Sequence, residues 1–323
     1  MSQITEQPEQ TWNYTPLPAP IPITEQVWPE GTRPLVCTRH MTYNHEKYIR
    51  DCIEGVLMQK TTFPVRVCIH DDASTDMTDE IIREYQGKYP NLIWAFHQKE
   101  NTYRHPNRVE MRAKFMSWSD DAKYNALCEG DDYWTDDLKL QKQILYMEEN
   151  LGCAITAHNC ELIFQDVKEH RVFSRENVGI FELKDVLSNH FIPTNSIVYR
   201  VWPKKIINQK NSNNKNLLGS DRLLAMLCLL NGYGYMFPEK MGIKRKNPTG
   251  ITQIRKFTRN EKILHEKALF GIVLNQAHLL EHKNIIQKKV NGILKRKLKH
   301  EIKELRFLKA ISTSFSIMKS LLY

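Results

Sequence analysis

Two kinds of apolar spacing alternate along the first half of this chain. Leu35–Met41, Val65–Ile69, Leu92–Phe96 and Tyr124–Leu127 are short runs of strand length. The second is too continuously apolar to be half exposed, which predicts a parallel strand covered on both faces. Between them the period lengthens to that of a helix. Glu46–Gln59 places Tyr48, Ile49, Cys52, Ile53, Val56 and Leu57 on one face, a second helix runs from Asp76 to about Tyr89, and a third spans Arg108–Ser119. Strands and helices alternating through short connections predict an α/β fold with a doubly wound, mostly parallel sheet. Its ligands belong beyond the carboxyl ends of the strands.

The second half has a different texture. Ala154–Phe164, Asn195–Tyr199 and Tyr233–Phe237 read as strands. Gly219-Ser220-Asp221 opens a strongly apolar helix, Arg222–Leu230, that Asn231-Gly232 closes. Lys244–Thr252 reads as a basic loop containing Gly and Pro. From Glu261 onward the pattern is helical, with Ile263, Leu264, Ala268, Leu269, Ile272, Val273, Gln276 and Leu280 forming an apolar stripe. Met1–Thr32 has no periodicity and is expected to lie as a loose arm along the body.

Composition narrows the class. With 41% apolar residues the chain is globular, and its formal charge of +9 asks for an anionic partner. The longest apolar run, Leu223–Leu230, falls far short of a bilayer span, and the N-terminal residues, with Glu6 and Glu9, carry no secretory pattern. The seven cysteines lack C-x-x-C spacing and sit in apolar contexts such as Val67-Cys68-Ile69, as expected for buried thiols in a reducing compartment. A cytoplasmic protein is therefore expected. Beyond Lys283 the charge is heavily positive, but no aromatic residue is interleaved over Lys283–Lys303, which argues against nucleic acid as the partner. The following segment, Phe307–Tyr323, carries Leu308, Ile311, Phe315 and Leu321. It suits either peripheral contact with the inner face of an anionic membrane or packing on its own domain or a second copy of the chain.

The chemistry concentrates at three of the predicted strand ends. After Tyr124–Leu127 comes Cys128-Glu129-Gly130-Asp131-Asp132-Tyr133-Trp134. Three carboxylates within four residues repel one another, and a structural turn needs one Asx residue at most. A divalent cation would relieve that repulsion, and oxygen-only ligands suit magnesium or manganese; a solvated acidic turn is the plainer alternative. After Val65–Ile69 comes His70-Asp71-Asp72-Ala73-Ser74-Thr75-Asp76. Ser74 or Asp76 suits a helix cap, whereas Asp71 and Asp72 come too early for that and could accept from a nucleobase N–H or a ribose hydroxyl. After the first strand comes Thr42-Tyr43-Asn44-His45, where the Tyr43 ring offers either a stacking face for a base or a half-buried core contact. Asp221 is a helix cap or, on the far rim of the same cleft, a proton acceptor for a sugar hydroxyl.

The ordered set Pro34–Val36 through Thr42-Tyr43-Asn44-His45-Glu46-Lys47-Tyr48-Ile49, then His70–Asp76, then Glu129–Trp134, resembles the family 2 glycosyltransferases of the A-type fold, which build bacterial-type polysaccharides and glycans. The resemblance is close over Pro34–Asn150 and looser to Thr252. It implies an inverting transfer of a sugar from a nucleotide-diphosphate sugar, a UDP-sugar by preference, to a hydroxyl of a glycan or lipid-linked acceptor. It would put Thr42 and Tyr43 beside the base and Asp72 on the base or ribose, with Asn44, Asp71, Glu129 and Gly130 also facing the donor. Glu129 and Asp131 would form the D-x-D-type pair, with Asp131 the leading ligand and Asp132 a further one for Mn2+ or Mg2+. Asp221 would be the general base, although Arg222 stands where an aromatic residue is frequent. Arg112 and Lys244–Lys246 are candidates for extra phosphate contacts. The polar Cys37-Thr38-Arg39-His40 departs from the aliphatic first strand of the family.

The implied layout is an N-terminal arm (1–33), a catalytic domain (34–255, with a nucleotide-sugar half over 34–150 and an acceptor half over 151–255) and a basic helical extension (256–323). Two other readings share part of this evidence. One is a sugar-nucleotide nucleotidyltransferase, although Gly31-Thr32-Arg33 precedes the first strand where that class needs its glycine-rich turn after it. The other is a non-catalytic binding protein that retains the fold.

Overall fold

The computed structural model describes residues 13–103, 105–164, 169–173, 178–188, 192–201, 221–246 and 258–295. The chain falls into two compact units, Met1–Asn213 with Leu224–Lys256, and Asn214–Leu223 with Phe257–Tyr323.

In the first unit, β1 (Ile21–Pro22) pairs antiparallel with β3 (Lys60–Thr61) and so fastens the N-terminal segment to the body. The main sheet is built from β2 (Val36–Thr42), β4 (Val65–Asp71), β5 (Ile93–His97), β6 (Tyr124–Leu127), β8 (Cys153–Phe164), β10 (Gly179–Phe181), β11 (Val198–Arg200) and β12 (Tyr233–Lys246), in the spatial order β10-β12-β8-β11-β6-β2-β4-β5. Two short strands join its flank: β7 (Tyr133–Trp134) pairs with β12, and β9 (Glu169–Phe173) with β8. The β6-β2-β4-β5 half is parallel throughout. Beyond it β11 runs antiparallel to both β6 and β8, so the sheet is mixed on that side.

Strand alternation sorts side chains to two faces. Val36, Val67 and Ile69 point to the layer formed by α1 (Ile49–Leu57), α2 (Thr78–Lys88) and α4 (Lys139–Glu149). Their neighbours Cys37 and Cys68 point to the other face, against Phe115 of α3 (Arg108–Ser117). This two-sided cover is what the continuous apolar runs require. All seven cysteines are free and buried. The polar first strand has a local explanation. His40 bridges the Thr38 hydroxyl (2.8 Å, Nε2) and the Cys128 carbonyl (3.0 Å, Nδ1), with Cys52 Sγ 3.4 Å from the same Nδ1. The imidazole thus ties β2 to the end of β6 under the acidic turn, and its hydrogen-bonding capacity is used up there.

Several local readings change. Lys244–Lys246 is not loop: β12 continues through it, paired in parallel with Lys244 opposite Leu162 and Lys246 opposite Phe164. The rest of that basic stretch, 247–252, lies outside the described residues. Thr194–Ser196 is a 3-10 turn rather than the start of a strand, and β11 begins at Val198. A short helix, α5 (Leu183–Ser188), and β10 follow polar segments that carry no periodic signal.

The second unit contains α7 (Arg259–Gln276), entered through a reciprocal capping box between Thr258 and Glu261. A helix over 280–295, α8, follows after a break at 277–279, so the helical run is interrupted. Leu269, Phe270 and Val273 are fully buried while Leu264 and Leu280 are exposed, so the buried stripe is narrower than its sequence pattern. Between the two units in sequence lies α6 (Asp221–Leu229), whose first three residues belong to the second unit. Arg222 covers the Phe270 ring there at 5.3 Å. Among the described residues no helix is long and apolar enough to cross a membrane. The expected membrane segment Phe307–Tyr323 lies outside them.

His70, fully buried at the end of β4 against Phe96 and Phe115, gives a test of this core. Burial first, then the Arg112 charge, push its pKa from an ordinary 6.5 to about 4. The native state therefore binds fewer protons than the unfolded chain between those two values. Stability is complete above pH 6.5 and falls as the pH drops toward 4, by about 3 kcal/mol from this group alone. Urea midpoints at pH 7.5 and 4.5 should show that loss, and His70→Phe should flatten the dependence.

Candidate functional site

The carboxyl end of β2 gathers the site. The Thr42 carbonyl accepts from Asp72 N–H (3.0 Å), and the Met41 carbonyl accepts from Gly130 N–H (2.9 Å). One strand end thus holds both acid-bearing loops on a common rim. The approach is too close for a side chain at Gly130. A Cβ there would sit 2.6 Å from Thr42 Oγ1 and 3.0 Å from His45 Nδ1.

Polar bonds lace the loop after β2 to the loop after β4. Asn44 N–H donates to Ser74 Oγ (2.9 Å), and Thr75 N–H donates to Asn44 Oδ1 (2.8 Å). His45 N–H donates to Thr78 Oγ1 (2.8 Å), and Glu46 N–H to Asp76 Oδ2 (3.1 Å). Asp76 also accepts from Thr78 N–H through its other oxygen (3.0 Å), so it holds the start of α2 and the opposite loop together. Asn44 (φ 55°) and Ala73 (φ 62°) are the described non-glycine residues with left-handed backbone. Such a conformation costs a side-chain-bearing residue on the order of 1–3 kcal/mol and persists where surrounding bonds impose it, as at ligand-holding loops.

Asp71 is turned inward: it accepts from Ser74 N–H (3.0 Å) and from the Ser74 hydroxyl, and burial raises its pKa. Asp72 is buried and engaged on both oxygens. Oδ1 accepts from Thr102 N–H (2.9 Å), and Oδ2 pairs with Arg112 Nη2 (3.0 Å). Arg112 Nε reaches Thr102 Oγ1 (2.6 Å), and Asn101 Nδ2 reaches the Asp72 carbonyl (3.0 Å). Asp72 and Arg112 are therefore partners of each other, and together they fix the segment between β5 and α3. Thr102 and Asn101 were not singled out from sequence, because an aperiodic polar stretch gives no sign of contacts some thirty residues away. Tyr43 is 43% exposed, so its ring is accessible.

At the end of β6 one carboxylate oxygen from each of Glu129, Asp131 and Asp132 lies within 4.8 Å of the others. Asp132 is buried. Burial, opposed by the Lys244 charge and reinforced by Asp131 and Glu129, pushes its pKa up to about 8. A buried carboxylate under that stress calls for a positive partner, and three hard oxygen donors from one turn fit magnesium or manganese. β12 already brings positive charge here. Lys244 Nζ lies 3.6 Å from Glu129 and 3.5 Å from Asp132, and Arg245 N–H donates to Asp132 Oδ1 (2.7 Å). The Arg245 guanidinium donates to the Asp131 carbonyl (3.0 Å), pairs with Asp51, and lies 4.5 Å from the Tyr133 ring and 5.3 Å from that of Tyr48. Arg245 is thus a clamp on the acidic turn. Asp221 opens α6 and belongs to the second unit.

Comparison with known proteins places this arrangement. The family described as glycosyl transferase family 2 matches residues 41–209. The uncharacterised protein Rv1520 of Mycobacterium tuberculosis is 35% identical over 226 residues, 67% of this chain and 62% of that protein. The chain thus spans about three fifths of the length of such relatives. The uncharacterised glycosyltransferase MJ1057 of Methanocaldococcus jannaschii is 25% identical over 68% of this chain and 73% of its own. The solved structure of S. aureus TarS 1-349 in complex with UDP-GlcNAc shares the fold, with a TM-score of 0.57 at 14% identity over 82% of this chain and 72% of that one.

Gly130 separates this packing from a generic turn. Gly130→Ala should lower stability by about 1–3 kcal/mol in urea unfolding, because Thr42 and His45 must give way. Gly87→Ala, inside α2 with nothing within 4 Å of the added carbon, should be neutral or stabilising by up to about 1 kcal/mol.

Proposed function

Because the chain belongs to glycosyl transferase family 2, we propose that it moves a sugar from a nucleoside-diphosphate donor to a hydroxyl of a glycan or lipid-linked acceptor, with inversion at the anomeric carbon. The observation that carries this reading is the shared end of β2, which sets the Asp72 loop and the Glu129–Asp132 turn on one rim. One loop suits a nucleoside and the other a pyrophosphate. TarS, with the same fold, is solved with UDP and with UDP-GlcNAc, which supports a uridine donor.

In this reading the exposed Tyr43 ring stacks on the base, beside Thr42 and Asn44. Asp72, with both oxygens already engaged, has lone-pair capacity left for one further donor, from base or ribose. Asp131, Glu129 and Asp132 would hold the divalent ion, which when bound supplies neutralising charge to the diphosphate leaving group. Asp221 takes the proton from the acceptor hydroxyl as that oxygen attacks. The catalytic site must exclude water, since hydrolysis of the donor competes with transfer. The arm over 1–33, the catalytic domain over 34–255 and the basic extension over 256–323 complete the proposal. The extension's role is peripheral contact with an anionic membrane, where a lipid-linked acceptor would be presented.

Asp131→Asn should abolish metal-dependent turnover of a UDP-sugar while leaving the circular dichroism spectrum unchanged. Asp221→Asn should lower transfer by about 10²–10⁴ yet keep UDP binding in calorimetry; retained transfer would assign the base elsewhere. The full chain should co-sediment with vesicles containing anionic lipid and not with neutral ones, and equal binding to both would remove the membrane contact.

A further inference from the structure

Lys244 occupies an unusual position. Its ammonium stands between two carboxylates, 3.6 Å from Glu129 Oε2 and 3.5 Å from Asp132 Oδ2, at nearly equal reach of each. Both separations exceed the 2.7–2.9 Å typical of a hydrogen-bonded ion pair, so neither contact with these two acids is a tight one. The base of this side chain is firmly placed, because the adjoining Arg245 N–H is bound to Asp132 and Gly242 pairs with Trp134 of β7. Four methylenes separate the head from the strand, and the side chain is 22% exposed, so rotation of the stem can carry the ammonium from one set of partners to another. Lys246, two residues on and on the same side of the strand, adds a second positive charge near the same acids, and burial followed by the Lys244 charge lowers its pKa.

We propose that Lys244 is a tethered counter-cation of the acidic turn, which yields its place to a divalent ion and then binds the diphosphate of the donor. This rests on the reading of the chain as a nucleotide-sugar transferase. The physical argument is mutual exclusion. A divalent cation among Glu129, Asp131 and Asp132 and an ammonium within 3.6 Å of two of those groups repel each other strongly in a partly buried site. The ammonium swings out by rotating its stem, and the nearest site for it is the negative diphosphate arriving at the same turn. The acids then carry positive compensation both before and after the donor binds. Lys244 is in this role a donor-binding residue, in contact with the leaving diphosphate and not with the attacking acceptor.

The test separates metal from donor. Binding of Mn2+ alone to the full chain is followed by the electron paramagnetic resonance signal of the free ion, and binding of UDP at saturating Mn2+ by calorimetry. Lys244→Met should bind Mn2+ about tenfold more tightly than the wild type and UDP about tenfold more weakly. Lys244→Arg, which keeps the charge, should hold Mn2+ as weakly as the wild type. Asp131→Asn should lose Mn2+ binding and thereby locate the ion. Unchanged or weaker Mn2+ affinity in Lys244→Met, with the wild type binding normally, overturns the role of Lys244 alone. Absence of Mn2+ binding in both proteins overturns the metal-assisted reading beneath it as well.

Discussion

Mutual repulsion among Glu129, Asp131 and Asp132 is the constraint around which the rest of the first unit is arranged. One oxygen of each is confined within 4.8 Å of the others by a turn that follows a buried strand, and Asp132 is almost without solvent. Water cannot screen such a group, which raises its pKa and favours a positive neighbour, and the protein brings positive charge to it. It does so from far away in sequence, by extending β12 across the acidic turn and presenting Lys244 and Arg245. The strand in turn is aligned by its long parallel pairing with β8 and by the two-residue β7 that carries Trp134. Electrostatic need and sheet topology are here the same fact seen from two sides.

The other half of the rim solves a different problem with different means. A nucleoside is largely neutral and flat, and the loops that would hold it are fixed mainly by hydrogen bonds between side chains and backbone amides rather than by ion pairs. Asn44, Ser74, Thr75, Thr78 and Asp76 exchange bonds with backbone amides across the gap between β2 and β4, and two left-handed residues stand where the loops meet. The buried pair of Asp72 and Arg112 then anchors the next segment along. An acid that would read a ligand is thus first of all part of the frame that shapes the pocket.

Much of this was legible in the chain, and what was not has a common cause. Tyr124–Leu127 is the same strand in pattern and in structure, and α3 starts at Arg108 as its spacing requires, because local apolar periodicity decides both. The three loaded loops were placed at strand ends by the alternation of elements alone. Lys244–Lys246 misled because three consecutive basic residues running into Pro248 and Gly250 look like solvated loop. Their place in a strand rests on pairing with Leu162–Phe164 of β8, and Arg245 is held further by acids more than a hundred residues earlier. The partnership of Asp72 with Thr102 and Arg112 is hidden for the same reason, since local pattern holds no record of a contact 30 or 40 residues distant. His40 is the instructive case. A histidine in a central strand looks like a fault in the pattern until its two nitrogens are seen to join Thr38 and Cys128.

The floor of the cleft and its rim are built of different materials. Below lie interdigitated aliphatic side chains from β2, β4, α1 and α2, and above lies a lattice of amide, hydroxyl and carboxylate bonds with little apolar cover. Opening free energies follow that division, since segments poor in buried apolar contact open well before the global transition. Under mild denaturant, deuterium should therefore enter the amides of Asn44, His45 and Thr75 while those of Val67 and Ile69 still resist it. A cleft of this construction can admit and release a polar ligand by loosening its lip, with the sheet beneath left undisturbed.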